Sequence, residues 1–149
     1  MPIQITDPFL NRTRKRETKE IFNRTIDEFN GELTEYKAQL INHKIINIDR
    51  SKQRVVKDLS NYLFAIYQYL ELPNQTKFTR LGHKRLIAAL LYFYELDDAI
   101  PDTTPFTGYL DDAHCVNLAL SMQDTFVRNK IEGIVKSIEF LEEDNAGTE

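Results

Sequence analysis

A chain of 149 residues suits one compact domain and is long enough to bury a hydrophobic core. Its 42% hydrophobic and 28% charged residues are typical of a folded globular protein and exclude wholesale disorder. The net charge of −4 is unevenly spread, because residues 1–57 carry 12 Lys and Arg against 8 Asp and Glu, whereas residues 58–149 carry 7 against 15.

The single cysteine, Cys115, excludes an internal disulfide and a CxxC metal or redox motif. A reducing, cytoplasmic environment is therefore expected. The first residues lack the apolar core of a signal peptide, and no apolar run reaches the length of a transmembrane helix.

The chain is expected to begin with a basic N-terminal arm over residues 1–16. Asp7-Pro8 is typical of a helix start, and the basic run of residues 12–16 follows it. That run could contact the phosphates of nucleic acid or of an anionic membrane, or it could be a solvated helix end. No aromatic residues interleave with the cations and the pI is about 5.4, which disfavours nucleic acid.

A heptad pattern follows within residues 17–50, because apolar residues recur at alternating spacings of four and three. It predicts one long amphipathic helix over about residues 17–47. The apolar stripe must pack on the rest of the domain or on the same helix of a second subunit, so its members are the candidate interaction residues. They are Phe22, Ile26, Phe29, Leu33, Tyr36 and Leu40.

Further helical periodicity fills the rest of the chain, and no alternating strand pattern competes with it. The predicted helices run from Ser51 to about Leu72, from Thr76 or Thr79 to about Asp97, and from near Tyr109 to at least Met122. The apolar stripe from Phe126 to Leu141 either continues the last of these or forms a separate helix capped by Asp124. Residues 142–149 read as a frayed acidic tail. The sequence thus predicts an all-α bundle of four to five helices.

The loop between the third and fourth predicted helices is rich in Asp, Pro and Gly. It contains Asp98, Ile100-Pro101-Asp102, Pro105, Gly108 and Tyr109-Leu110-Asp111-Asp112. These residues resemble the signature P-x-D-x-I-P-D-x-x-P-x-x-G-x-x-D-D of the YkvA-like bacterial family, a domain of unknown function. A looser helical similarity covers about residues 55–140, and we assign residues 51–141 to this domain.

The resemblance implies a small helical domain without an established activity. The chain departs from the family pattern at Leu96, where a proline is usual, and at three threonines inside the loop. Threonine at positions that are often apolar in the family argues against a hairpin that inserts into a membrane. The three residues are Thr103, Thr104 and Thr107.

Two interpretations of the aspartates are open. In the structural one, the carboxylates accept hydrogen bonds from backbone amides, while Pro101 and Pro105 stiffen the loop and Gly108 supplies an unusual dihedral angle. In the metal-binding one, several carboxylates converge on Mg²⁺, Mn²⁺ or Ca²⁺, and His114 could join them from the same helical face as Asp111. The spacing matches neither an EF-hand nor HExxH. The candidate metal ligands are Asp98, Asp102, Asp111 and Asp112.

The sequence contains no recognisable set of catalytic residues. His114 and Cys115 are neighbours on a helix and point about 100° apart, so they do not form a dyad. The leading hypothesis is therefore a non-enzymatic helical interaction module without a cofactor, which binds a protein partner or a second copy and has an accessory, immunity or regulatory role. The alternatives are a metal-dependent hydrolase or metal-binding protein, and a peripheral protein held on anionic membranes through residues 12–16.

Overall fold

Helices account for the secondary structure of the described part of the chain. The computed structural model describes residues 2–5, 11–28, 34–50, 54–72, 80–94 and 109–147. Within these ranges there are six helices and no strand, so the all-α prediction is confirmed. The helices are α1 (Arg12–Glu28), α2 (Glu35–Ile46), α3 (Arg54–Glu71), α4 (Arg80–Tyr94), α5 (Leu110–Ser121) and α6 (Thr125–Gly147).

Two helix starts, those of α1 and α6, are set by side-chain oxygens that accept a hydrogen bond from an amide of the first turn. The Asn11 side chain accepts from the amide of Arg14 at 2.9 Å, so α1 begins directly after it. The Asp124 carboxylate accepts from the amide of Val127 at 2.9 Å. Periodicity did not show whether the stripe from Phe126 to Leu141 continues the preceding helix. The cap at Asp124 begins a new one, so α5 and α6 are separate helices. The predicted start at Asp7-Pro8 lies outside the described residues.

The single helix predicted over residues 17–47 is wrong, because two helices occupy this region. Thr34 has an extended backbone, with φ −67° and ψ 150°, and its hydroxyl accepts from the amide of Lys37 at 3.2 Å. Threonine competes well as an N-cap and gains little in a helix interior, so the chain starts a new helix there. Phe29 and Leu33 lie outside the described residues.

The predicted heptad stripe does not continue from α1 into α2. Phe22 and Ile26 are buried and Leu40 is half-buried, but Tyr36 is 73% exposed. The new start at Thr34 rotates the second helix, so that it presents a different set of residues to the core. The buried residues of α2 are Ile41 and Ile45.

The central element of the described structure is α5. It packs against α1, α3 and α4, and every residue from Leu110 to Asn117 is buried. At its far end, the buried side-chain amide of Gln123 donates to the carbonyl of Gly82 in the first turn of α4 at 3.0 Å. α2 closes against the other end of α4, where the Lys44 ammonium donates to the carbonyl of Phe93 and lies 4.5 Å from its ring centroid.

A short N-terminal segment is held on α5 by one side chain. Ile3 is fully buried, and its amide donates to the side-chain oxygen of Asn117 at 2.9 Å. The Asn117 side-chain nitrogen in turn donates to the Ile3 carbonyl at 2.9 Å. The amide side chain therefore satisfies both backbone groups of a buried residue, as a paired peptide would.

α6 is the outer helix and packs chiefly on α3. The hydroxyl of Tyr62 on α3 donates to both oxygens of Glu132 at 2.7 Å. The carboxylate of Glu142 binds the guanidinium of Arg50 and lies 3.3 Å from the ammonium of Lys57. Glu142, the acidic residue in both ion pairs, belongs to the predicted frayed tail of residues 142–149. That prediction is wrong up to Gly147, since the helix continues to that residue.

Replacing Asn117 by alanine is expected to release the N-terminal segment from α5. Because it orphans a buried amide and a buried carbonyl, it should lower the free energy of unfolding by about 2–4 kcal/mol. Urea denaturation measures the loss, and hydrogen exchange at the amides of residues 3–5 should accelerate. The exposed Asn129→Ala on α6 is the matched control and should change stability by less than about 0.5 kcal/mol.

Candidate functional site

A cluster of polar side chains is buried where α5 begins. Asp111 and Asp112 occupy its first turn and are both fully buried, while His114 and Asn117 are 7% and 4% exposed. Such residues are rarely buried unless they are hydrogen-bonded or paired. This cluster is thus the most unusual chemistry in the described core.

One buried contact ties the cluster to the neighbouring helix. The hydroxyl of Tyr92 on α4 donates to Oδ2 of Asp111 at 3.0 Å, and both side chains lie in the interior. The ring of Tyr109, the residue before α5, lies 6.2 Å from that of Phe93. α4 therefore supplies both polar and aromatic contacts to the start of α5.

α1 covers the cluster and brings positive charge to it. Burial, followed by the charges of Lys15 and Lys19, lowers the pKa of the His114 imidazole below its ordinary value. Within the described part of the chain, Nδ1 of His114 has no hydrogen-bond partner. The neutral imidazole is accordingly the form that this environment favours.

Comparison with known families locates this cluster within a recognised segment. Residues 85–118, which run from α4 through most of α5, match the sequence model of a family described as "Protein of unknown function (DUF1232)". These residues form a DUF1232 domain segment of the YkvA-like type. The resemblance drawn from the aspartate motif is confirmed. No curated protein and no solved structure matches the chain.

The DUF1232 segment contains all the candidate metal ligands, but only half of them are in the described ranges. Asp98 and Asp102 lie outside those ranges, as do Pro101, Pro105 and Gly108. Among the residues that are described, no group of three or more His, Cys, Asp or Glu side chains is arranged to hold a metal ion. The four-carboxylate site and the stiffened loop both stay predictions.

The placement of Asp111 and Asp112 in the first turn of a helix that begins after Tyr109 agrees with the sequence analysis. The Tyr92 partner of Asp111 was missed, although a tyrosine on an apolar helix face is a signal, because a buried hydroxyl needs a polar partner. Cys115 is fully buried in the core, as expected for a small apolar-face residue.

The basic run of residues 12–16 is not an arm separate from the fold. It forms the first turns of α1, with Arg12 and Arg16 exposed and Arg14 and Lys15 half-buried. Because α1 packs on α4 and α5, part of this positive charge faces the DUF1232 segment rather than solvent. Fewer of these cations are fully exposed for binding to an anionic membrane than the sequence suggested.

The outward face of α6 carries the largest exposed apolar side chains of that helix. Phe126, Phe140 and Leu141 are 61%, 68% and 60% exposed. The predicted apolar stripe from Phe126 to Leu141 is thus wrong at its two ends, whereas Ile131 and Val135 in its middle are buried as predicted. α6 therefore keeps apolar side chains outside the side that packs on α3.

Small residues lie between the exposed aromatic rings on this face. At about 100° per residue, Phe126, Gly133, Ser137 and Phe140 point within about 60° of one another. A Cβ atom built on Gly133 would meet no atom within 4 Å, so the space above it is open. The ammonium of Lys130 lies 5.6 Å from the ring centroid of Phe126. We call these five residues, together with Leu141, the outer face of α6.

No helix within the described ranges combines the length and the apolar character needed to cross a bilayer.

Removal of the Tyr92 hydroxyl is expected to destabilise the start of α5. Tyr92→Phe should lower the free energy of unfolding by about 1–3 kcal/mol, because a buried carboxyl group loses its hydroxyl donor while the ring is kept. Tyr94→Phe, two residues further along α4 at a half-buried position, should change stability by less than about 0.5 kcal/mol. Equal losses in the two variants would contradict the role given to Tyr92.

The lowered pKa of His114 makes stability depend on pH. The unfolded imidazole, with a pKa of about 6.5, binds a proton before the folded one does, so stability falls as pH drops below about 6.5 toward the folded pKa. Urea denaturation at pH values above and below this point should show the fall. His114→Gln should reduce this dependence of stability on pH. An unchanged slope in His114→Gln would contradict the assignment.

Proposed function

We propose that the protein is a non-enzymatic helical interaction module that acts by protein–protein contact through the outer face of α6. The observation that carries the proposal is the exposure of Phe126, Phe140 and Leu141 on one helix whose opposite side is packed on α3. Covering a side chain of this size contributes about 1.5–3 kcal/mol, so a partner that buries all three gains substantially. Exposed large apolar side chains on a helix whose other side is packed are candidate sites of protein–protein contact.

The buried cluster supports a structural role for the DUF1232 segment in this proposal. Asp111 and Asp112 are fully enclosed, and α1, α3 and α4 pack around their helix. Interior carboxyl groups that are held by neighbouring side chains stabilise one arrangement of helices. The segment would thus serve as the scaffold on which α6 is displayed.

The heptad stripe is less suited to binding a partner than the sequence suggested. Phe22 and Ile26 are buried within the chain, so they are already covered. Tyr36 is exposed, but it lies on α2 and not on α1 with Phe22 and Ile26. The residues that α2 buries are Ile41 and Ile45. The proposed contact surface is therefore moved from the heptad stripe to α6. A cytoplasmic location in a bacterium, which Cys115 and the YkvA-like resemblance favour, belongs to the same proposal.

Site-specific photo-crosslinking in living cells tests this function. A photoreactive phenylalanine analogue at Phe140 should yield a discrete adduct whose second component mass spectrometry identifies as a protein. The same analogue at the exposed Gln68 on α3 is the matched control and should yield none. Adding Leu141→Ser should weaken the adduct at position 140. Equal capture from both positions, or capture from neither, would contradict the proposal.

A further inference from the structure

We propose that Arg50, Lys57 and Asn61 form a binding site for a phosphate-like oxyanion, which the carboxylate of Glu142 occupies in this structure. An anion that binds there takes the place of Glu142 and releases the end of α6. The proposal goes beyond the protein–protein contact proposed above and does not depend on it. It is carried by a mismatch between the donors of this group and the oxygens that Glu142 offers.

The donor group lies where three parts of the chain meet. Arg50 precedes α3, Lys57 and Asn61 lie in the first half of α3, and Glu142 lies on α6. Nη2 of Arg50 donates both to Oε1 of Glu142 and to Oδ1 of Asn61. The ammonium of Lys57 lies 3.3 Å from Oε2 of Glu142. Arg50 therefore holds the Asn61 amide beside the carboxylate.

Two further donors of this group have no acceptor within the described part of the chain. They are Nε of Arg50 and Nδ2 of Asn61, and both atoms are shielded from solvent. Asn61 as a whole is only 2% exposed. Because a buried N–H group without an acceptor costs about 1–3 kcal/mol, Glu142 satisfies this group of donors incompletely.

A phosphate-like anion matches the donors better than a carboxylate does. Glu142 has two oxygens, and both are engaged, one by Arg50 and the other by Lys57. A phosphate group offers three acceptor oxygens and a charge of about −1.5 to −2 near neutral pH. It can therefore accept from the remaining donors and balance both cations, and arginine forks are well suited to such groups.

The site can be reached from solvent and keeps an excess of positive charge. The side chains of Arg50, Lys57 and Glu142 are 37%, 43% and 24% exposed. Asp58, the residue after Lys57, is paired with Arg54 at 3.1 Å. Two cations thus share the single carboxylate of Glu142 in the described contacts, and an anion of higher charge is favoured there.

Binding of the anion is coupled to the end of α6. The anion uses the same donors as Glu142, so it binds fully only after that carboxylate has left them. The last turns of α6 then lose their contacts with Arg50 and Lys57. By linkage, the carboxylate of Glu142 weakens the binding of the anion to the same extent.

Titration of the full chain with inorganic phosphate tests the site, with the side-chain amide of Asn61 followed by NMR and the ionic strength held constant with chloride. Glu142→Ala should bind phosphate roughly tenfold more tightly than the wild-type chain, because the competing carboxylate is gone. Glu143→Ala removes the same charge at the exposed neighbouring position and should behave as the wild type does. Equal affinities in the two variants, or an Asn61 signal that phosphate does not shift in Glu142→Ala, would overturn the proposal.

Loss of the arginine tests which donors hold the anion. Adding Arg50→Gln to Glu142→Ala should abolish the response of Asn61 to phosphate. Adding Lys130→Gln instead removes a positive charge from an exposed position on α6 and should leave the response intact. Binding that survives the loss of Arg50 would show that phosphate binds elsewhere.

The wild-type chain provides a test that requires no variant to fold. Phosphate, compared with chloride at equal ionic strength, should accelerate hydrogen exchange at the amides of residues 141–145 and leave those of residues 131–135 unchanged. Exchange at residues 141–145 that stays the same or slows would refute the displacement of Glu142.

Vesicles distinguish a soluble phosphate from a lipid headgroup. If the anion belongs to a lipid, Glu142→Ala should float with phosphatidylcholine vesicles that contain phosphatidic acid, and adding Arg50→Gln should abolish flotation. A shift of the Asn61 signal by phosphate without flotation assigns the site to a soluble phosphate. Flotation that Arg50→Gln leaves unchanged would overturn the assignment of a lipid to this site.

Discussion

The burial of α5 is the constraint on which the rest of the described structure depends. A helix that places two aspartates, a histidine and an asparagine in the interior is destabilising unless neighbouring elements supply partners. Tyr92 on α4 supplies a hydroxyl to Asp111, and the backbone of Ile3 satisfies both ends of the Asn117 side chain. Gln123 adds a bond to the start of α4. These directional contacts select one position for each neighbour of α5, whereas apolar packing alone tolerates several.

The outer layer follows from this arrangement. α3 packs on α5 with one side and receives α6 on the other, where Tyr62 binds Glu132 and the ion pairs of Glu142 hold the far end. Burial and the neighbouring Glu132 both raise the pKa of Tyr62, so its hydroxyl remains a donor across the ordinary pH range. α3 therefore holds one side of α6 in place, while the outer face of α6 is exposed to solvent. A surface of this kind is preorganised, so little conformational entropy is lost when a partner covers it.

Several features of the fold could be predicted because they depend on local chemistry. Helical periodicity, the start of α5 after Tyr109 and the motif ending at Asp111-Asp112 are all contained in short stretches of sequence. Other features depend on contacts between distant residues. Thr34 fits either a helix interior or an N-cap, and only packing decides between them. Phe126 and Leu141 share the spacing of a core stripe, but periodicity does not reveal which of the two apolar sides of α6 is covered.

Native-state hydrogen exchange in increasing denaturant tests most directly whether α5 is the scaffold. If the buried polar contacts hold the surrounding helices in place, the amides of Val116 to Leu120 exchange only through global unfolding. Their free energy of exchange then equals the free energy of unfolding measured by denaturation, and amides on the outer turns of α6 open at lower free energy. Exchange of the α5 amides through a local opening, at a free energy well below that of α6, would contradict the account.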